Sequence, residues 1–159
     1  MGPTVCHEGP YDSSAVLNFT SRLTRVNEHE QLMREYEAGI VSACDPTIAD
    51  VEIAWSDPAL FCVLRNQSCA VITAWNPGSV QLSIDLNSQR HERLRMQLSR
   101  DGYDYWDSLN SAPDGSFAEP GFLIWAIEQK RALALAESFD QFAIYWYDTQ
   151  GERVVLNCT

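Results

Sequence analysis

An apolar run that stops abruptly in a turn constrains the fold of this chain more than any other segment. Residues 69–75 read Cys-Ala-Val-Ile-Thr-Ala-Trp, and the turn residues Asn-Pro-Gly follow at 76–78. A short, nearly continuous apolar run is typical of a strand that is covered on both faces. From Ser83 to about Arg100 the pattern becomes helical, and Gly102 follows. The sequence therefore predicts a buried strand, a tight turn and a helix in succession.

Periodicity predicts further helices and strands on both sides of this unit. Helices are expected from Asp12 to about Thr24 and from Glu28 to Ile40. Strands are expected at 51–55, 59–64, 103–109 (an edge strand), 121–127, 141–147 and 154–156, with one more helix at 128–139. This order predicts an α+β protein, a single layered domain with a mixed or antiparallel sheet and helices packed on it. Residues 1–45 are expected to be an N-terminal tail and helical extension, and residues 46–159 the α+β domain.

The charge balance argues against nucleic acid as a partner. The chain has 22 acidic and 11 basic residues, a formal net charge of −11, and one lysine, Lys130. Binding to nucleic acid or to an anionic membrane requires clustered Lys and Arg side chains. We therefore expect no nucleic acid and no membrane as partners, and a small molecule or a protein remains open. The oligomeric state is not predicted.

The cysteines and the known catalytic motifs give no cofactor. Five cysteines are widely spread without a Cys-x-x-Cys pair, which is typical of reduced thiols in a cytoplasmic protein rather than a zinc site. The sequence contains neither a glycine-rich phosphate loop nor a dinucleotide or zinc-protease motif. We expect no metal, no cofactor, no signal peptide and no membrane span, and the sequence leaves open whether the protein is an enzyme.

The helix that begins at Ser83 carries polar residues on its inward face. Asn87, Arg90, Leu94 and Leu98 fall on one narrow stripe at 100° per residue. The two leucines indicate that this stripe faces the core, so Asn87 and Arg90 extend the buried face towards the 76–78 turn. A buried guanidinium requires a carboxylate or several carbonyls as partners, because an unpaired buried charge is very costly.

Four short motifs in order resemble a bacterial family of uncharacterised proteins, the domain-of-unknown-function 3293 family. They are Thr-Ala-Trp-Asn-Pro at 73–77, Leu-Ser with Asn-x-x-Arg at 82–90, Glu-Pro-Gly-Phe-Leu at 119–123 and Phe-Asp-Gln-Phe-Ala at 139–143. The resemblance covers about residues 50–157 and implies no activity. It does identify six positions that carry the pattern: Thr73, Asn76, Asn87, Arg90, Glu119 and Gln141.

Two hypotheses about these six residues follow. In the first, the strand ends converge and Glu119 pairs with Arg90 in a polar pocket for a small anionic or nucleotide-like ligand. There Arg90 and the helix N-terminus hold the anion, the amides orient polar atoms, and Glu119 is the candidate catalytic acid or base. In the second, the protein is a non-catalytic protein–protein interaction module, and the cluster is a purely structural network that joins the turn and the helix to the sheet.

Overall fold

A computed structural model describes residues 27–158 of the chain. The chain divides into two compact units, Met1–Arg34 and Glu35–Thr159. In the first unit the described residues 27–34 are helical, and Arg34 lies 3.6 Å from Glu30 one turn earlier. This helix, α1, covers residues 27–38. The helix expected from Asp12 to Thr24 lies outside the described residues.

The second unit contains one curled, seven-stranded sheet in which all neighbouring strands are antiparallel. Its strands are β1 (Ile40–Cys44), β2 (Trp55–Ser56), β3 (Cys69–Ile72), β4 (Tyr105–Ser111), β5 (Ala118–Trp125), β6 (Ala143–Tyr147) and β7 (Arg153–Asn157). Their spatial order is β2-β1-β4-β5-β3-β6-β7. The α+β class is confirmed, and the sheet is antiparallel.

Four helices and one short 3-10 turn connect these strands. They are α2 (Val51–Ala54), α3 (Pro58–Arg65), the 3-10 turn Pro77–Ser79, α4 (Ile84–Arg100) and α5 (Gln129–Ser138). Helix α4 begins as the sequence predicts, because the Ser83 hydroxyl accepts from the main-chain N–H of Leu86. Leu94 and Leu98 on the predicted stripe are fully buried.

Each face of the sheet has its own apolar core. On one face, α4 and α5 pack on Ile72, Phe122 and Ile124. On the other, α3 covers Val71 and Leu123, which alternate with the first set along the same strands. Fully burying side chains of this size contributes about 1.5 to 3 kcal/mol each. Both faces of β3 and β5 are therefore covered, which explains why β3 reads as a continuous apolar run.

Two predicted strands are helical, so these predictions are wrong. Residues 51–54 form α2, with only Trp55 and Ser56 continuing as β2, and residues 58–65 form α3. Asp50 and Asp57 accept hydrogen bonds from the main chain two residues later, at 3.0 and 2.9 Å. Asp-Pro at 57–58 is an N-cap followed by proline at the first helical position. These caps outweigh the alternation of apolar residues in so short a segment.

Two further strands, β1 and β4, lie where the sequence did not predict them. The helix expected to reach Ile40 ends at residue 38, and β1 follows after Gly39 and pairs with β4. Strand β4, expected at the sheet edge, lies between β1 and β5. The sheet therefore recruits residues 40–44 from the segment that the sequence assigned to the N-terminal extension. The division of the chain into an N-terminal extension, 1–45, and an α+β domain, 46–159, stays a prediction.

Candidate functional site

The six pattern-carrying residues lie around one end of β3, β5 and β6. Ile72 at the end of β3 pairs with Phe122 near the start of β5, and Val71 pairs with Tyr145 of β6. Because neighbouring strands are antiparallel, the end of β3 and the beginnings of β5 and β6 meet at the same edge. Thr73 and Asn76 follow β3, Glu119 opens β5, and Gln141 precedes β6.

Asn76 is the centre of a chain of side-chain hydrogen bonds. Its Nδ2 donates to Glu119 Oε1 at 2.7 Å, and its Oδ1 accepts from Asn87 Nδ2 at 2.8 Å. The main-chain N–H of Leu82 also donates to Asn76 Oδ1, at 3.0 Å, and the main-chain N–H of Asn76 donates to Asn87 Oδ1 at 2.9 Å. Asn76 has a left-handed backbone, with φ of 47°, a conformation that asparagine tolerates better than most residues. The turn, the start of α4 and the start of β5 are therefore held by one amide.

Thr73 joins the same two strands through the main chain. Its hydroxyl donates to the carbonyl of Pro120 at 2.8 Å and accepts from the N–H of Trp75 at 3.0 Å. Pro120 has no N–H of its own, and the threonine side chain provides a link between the strands just past the end of β3. This threonine has no proton left to donate to a ligand.

Arg90 does not pair with Glu119, so the predicted ion pair is wrong. Its Nε donates to the carbonyl of Ala74 at 2.8 Å, its Nη2 donates to the carbonyl of Phe139, and its nearest carboxylate is Asp140, at 3.8 Å. Phe139 follows the last turn of α5, where carbonyls lack helical partners and favour a cation. The guanidinium therefore ties α4 to the end of α5 and to the segment that follows β3.

Gln141 completes this second group of bonds. Its Nε2 donates to the carbonyls of Trp75 at 3.1 Å and Phe139 at 3.3 Å, and its side chain is buried. The six residues thus form two groups. Thr73, Asn76, Asn87 and Glu119 join the turn to β5 and α4, and Arg90 and Gln141 join the turn to the end of α5.

A small cavity lies beside Glu119, on the face of the sheet that carries Trp106. Ser108 and Asn110 follow Trp106 at intervals of two and share its face, and they pair directly with Gly121 and Glu119. The cavity measures about 10 Å³ as space for the centre of a water molecule, enough for about one water. Its polar lining consists of Tyr36, Thr73, Ser108, Asn110, Glu119 and Tyr145.

Ser108 has an unsatisfied hydroxyl in this cavity. The residue is 3% exposed, and its Oγ is buried without a hydrogen-bond partner among the described residues. Gly121 keeps the space open, since a Cβ at this position would lie 3.1 Å from Ser108 Oγ and 2.6 Å from the carbonyl oxygen of Ile72. An orphaned buried hydroxyl next to a cavity of this size indicates a position for a bound polar group.

Burial controls the protonation of the ionisable groups around the cavity. Burial raises the pKa of Glu119, and the hydrogen bond from Asn76 offsets part of this rise. Burial also raises the pKa of Tyr145 to about 12 and that of Tyr36, to which the charge of Glu119 adds. Both phenols are therefore protonated at neutral pH, and burial raises the pKa of the Glu119 carboxyl, so it holds its proton to a higher pH than an exposed glutamate does.

A second, open groove lies on the outer side of α4. It measures about 350 Å³, and its lining includes Arg90, Arg93 and Arg100 of α4 with Ser138 at the end of α5. Arg93 and Arg100 are exposed, whereas Arg90 has a side chain that is 15% exposed and is engaged with main-chain carbonyls. Arg90 borders this groove and Glu119 borders the smaller cavity, so the two residues line different spaces.

Sequence reasoning missed most of the cavity. The cavity beside Glu119 is also lined by residues outside the six pattern-carrying positions, namely Tyr36, Ser108, Asn110, Gly121 and Tyr145. One usable signal was present in β4, where Trp106, Ser108 and Asn110 recur with the period of a strand and so share a face. Polar residues in that register, continuing an apolar face, indicate a polar site on a buried surface.

Residues 27–158 show neither a cluster of metal ligands nor a membrane-spanning helix. No group of three or more potential metal ligands comes together in this part of the chain. No helix there has the length and apolar character that crossing a membrane requires.

Comparison with known proteins gave one match. Residues 72–144 match a family model described as a protein of unknown function, DUF3293. All six pattern-carrying residues fall inside the matched segment, which is shorter than the resemblance at about 50–157. Neither the curated proteins nor the solved structures gave a match.

Proposed function

Through residues 72–144 the chain belongs to the domain-of-unknown-function 3293 family, and we propose that it is a small-ligand-binding domain whose ligand enters the cavity beside Glu119. The observation that carries this proposal is the Ser108 hydroxyl, which is buried and unpartnered next to a carboxyl group. Among the described residues no lysine, arginine or histidine forms a salt bridge with Glu119. A site with a free hydroxyl and an unneutralised carboxylate favours a polar ligand over an empty core.

Glu119 is the residue that could perform chemistry in this site. It is half-buried, its pKa is raised by burial, and Asn76 holds one of its oxygens. A raised carboxyl pKa suits a general acid or base that works near neutral pH. We assign Glu119 the role of proton acceptor for a bound group, with Asn76 and Asn87 as positioning residues behind it.

Small probes and a filled cavity test the proposal. Methylammonium, glycerol and inorganic phosphate are added separately to ¹⁵N-labelled protein, and the main-chain amide shifts of Ser108, Asn110 and Gly121 are followed. We expect at least one probe to move these amides saturably, and Ala143→Val, which adds two methyl groups to the cavity wall, to abolish the shift. Ala118→Val, at an exposed position of β5, is the matched control. The proposal is contradicted if the shifts persist in Ala143→Val. It is also contradicted if none of the three probes moves these amides.

An anionic or nucleotide-like ligand, which the sequence suggested at Arg90 and Glu119, has support only on the α4 side. Arg90, Arg93 and Arg100 border the open groove there, and a phosphate group suits several guanidinium donors. Asp140 lies 3.8 Å from Arg90 and Asp101 lies 3.9 Å from Arg100, so carboxylates compete for these cations. This candidate predicts that phosphate shifts only the amides of α4. The shifts should disappear in the double variant of Arg93→Gln and Arg100→Gln.

The interaction-module alternative has its own supporting observation. Arg90 and Gln141 donate hydrogen bonds to main-chain carbonyls, as the residues of a structural network would. If the Glu119 group is equally structural, Glu119→Gln should lower stability and no probe should bind. Under the ligand-site proposal Glu119→Gln keeps its bond from Asn76 and costs no stability, because functional groups are often held at the expense of folding free energy.

A further inference from the structure

Two of the hydroxyl groups that border the Glu119 cavity have no proton to offer a ligand. Thr73 Oγ1 donates to the carbonyl of Pro120 at 2.8 Å, and Tyr145 Oη donates to the carbonyl of Tyr36 at 2.7 Å. A hydroxyl has one proton, so neither group can donate into the cavity.

The polar groups that remain include acceptors, next to the Ser108 hydroxyl and the Asn110 amide nitrogen, which can also donate. Glu119 receives one side-chain hydrogen bond, from Asn76 at 2.7 Å, and its carboxylate has further lone pairs. Asn110 Oδ1 lies 3.4 Å from Tyr145 Oη, whose proton already points to a closer carbonyl. Ser108 Oγ has no partner and can accept as well as donate. Asn110 and Glu119 are direct cross-strand neighbours, so their acceptors face the same space.

The cavity has the charge and the size of an ammonium site. A half-buried carboxylate without a cation among the described residues leaves a negative charge that a bound cation would neutralise. A hydrogen bond between an ammonium and a carboxylate is about twice as strong as one between neutral groups. The space of about 10 Å³ admits one group the size of a water molecule. A primary ammonium head is of that size, and a quaternary ammonium is much larger.

From the carboxylate without a salt bridge among the described residues, the nearby acceptors and the size of the cavity, we propose that the group bound in the cavity is a primary ammonium. This inference rests on the proposed function, that the cavity is a ligand site. The ammonium donates its three protons to the Glu119 carboxylate, to Asn110 Oδ1 and to Ser108 Oγ. The substrate class is therefore small primary amines, whose remainder extends from the cavity mouth.

Three probes of controlled size and charge test this proposal at constant ionic strength. Methylammonium has the required head, methanol has nearly the same size without charge, and tetramethylammonium has the charge but cannot enter. The readout is the ¹H–¹⁵N shift of the Ser108 and Gly121 main chain and of the Asn76 side-chain amide. We expect methylammonium alone to give a saturable shift. In Glu119→Gln its apparent affinity should fall about tenfold or more, which corresponds to about 1.4 kcal/mol.

Glu152→Gln, which removes an exposed carboxylate in the turn before β7, is the matched control and should leave the affinity unchanged. Equal shifts from methanol, equal shifts from tetramethylammonium, or full methylammonium affinity in Glu119→Gln would each overturn the ammonium assignment. Of these, saturable methanol binding at the same amides would leave the cavity as a ligand site. If no probe of either this set or the glycerol and phosphate set moves these amides, both the ammonium assignment and the proposed function are wrong.

Discussion

Glu119 makes the stability of the protein depend on pH in an unusual direction. Burial raises its pKa in the folded state, so the folded protein holds this proton at pH values where the unfolded chain has lost it. By linkage, the free energy of unfolding falls as pH rises from the ordinary pKa of glutamate through the raised value, and stays reduced above it. Most paired carboxylates act in the opposite sense, because their folded pKa is lowered.

We therefore expect Glu119→Gln to remove this fall. The difference in unfolding free energy between the variant and the wild type should grow in favour of the variant as pH rises through the raised pKa, and then level off. Urea titrations at a series of pH values measure it, with Glu152→Gln as the exposed control. A difference that grows as pH decreases would show that the folded pKa of Glu119 is lowered.

A comparison of Asn76 with Asn66 distinguishes two contributions to the free energy of unfolding. One is the side-chain hydrogen bonds, and the other is the tolerance of asparagine for a left-handed backbone. Both residues have positive φ, 47° and 51°, but Asn66 ends α3 through its main chain, whereas Asn76 bonds to Glu119 and Asn87. Asn66→Ala should cost about 1 kcal/mol, the strain of an alanine in this region. Asn76→Ala should cost about 2 to 4 kcal/mol, because buried partners also lose their bonds. Equal losses in chemical denaturation would show that the Asn76 network adds nothing to stability.

Among the secondary-structure elements, the Arg90 guanidinium links α4 to the end of α5 and to the segment after β3 by hydrogen bonds. Removing its guanidinium leaves the carbonyl of Ala74 without this donor and reduces the donors at Phe139. Arg90→Met should therefore lower the unfolding free energy by about 2 to 4 kcal/mol. Arg93→Met, one turn away and exposed, should change it by no more than about 0.5 kcal/mol. Thermal melts of both variants compare them directly, and an unchanged melting temperature for Arg90→Met would disprove the connection.

The elements differed in how well local sequence predicted them. Helix α4 has seventeen residues, a serine cap and a continuous apolar stripe, and long periodic segments contain enough repeats to identify the helix. Residues 51–56 and 58–65 are too short for periodicity to decide, and there the aspartate caps determined the outcome. The central place of β4 was not predictable from its alternation, because alternation reports one covered face and not the number of neighbouring strands.

In the second unit, the order of the strands predicts which main-chain amides exchange most slowly with solvent. Strands β3 and β5 are central and covered on both faces, whereas β2 and β7 are the edges. Amides in β3 and β5 should therefore exchange with solvent at rates near those of global unfolding, and those of β7 should exchange through local opening. Native-state hydrogen exchange by NMR measures both. Protection in β7 equal to that in β3 would contradict this order.

The sequence by itself determined the strand–turn–helix unit, the inward face of α4 and the six residues that gather at one end of the sheet. The unit and the inward face of α4 follow from local periodicity, capping and turn chemistry, which act over a few residues, whereas the six residues follow from the resemblance to the family. Only the tertiary structure decided which polar groups meet. Arg90 bonds to the end of α5, and Glu119 bonds to Asn76 and faces Ser108 and Asn110 across the strand pair. Such partners are set by strand register and helix placement, which bring together residues far apart in the chain, and no local pattern contains that information.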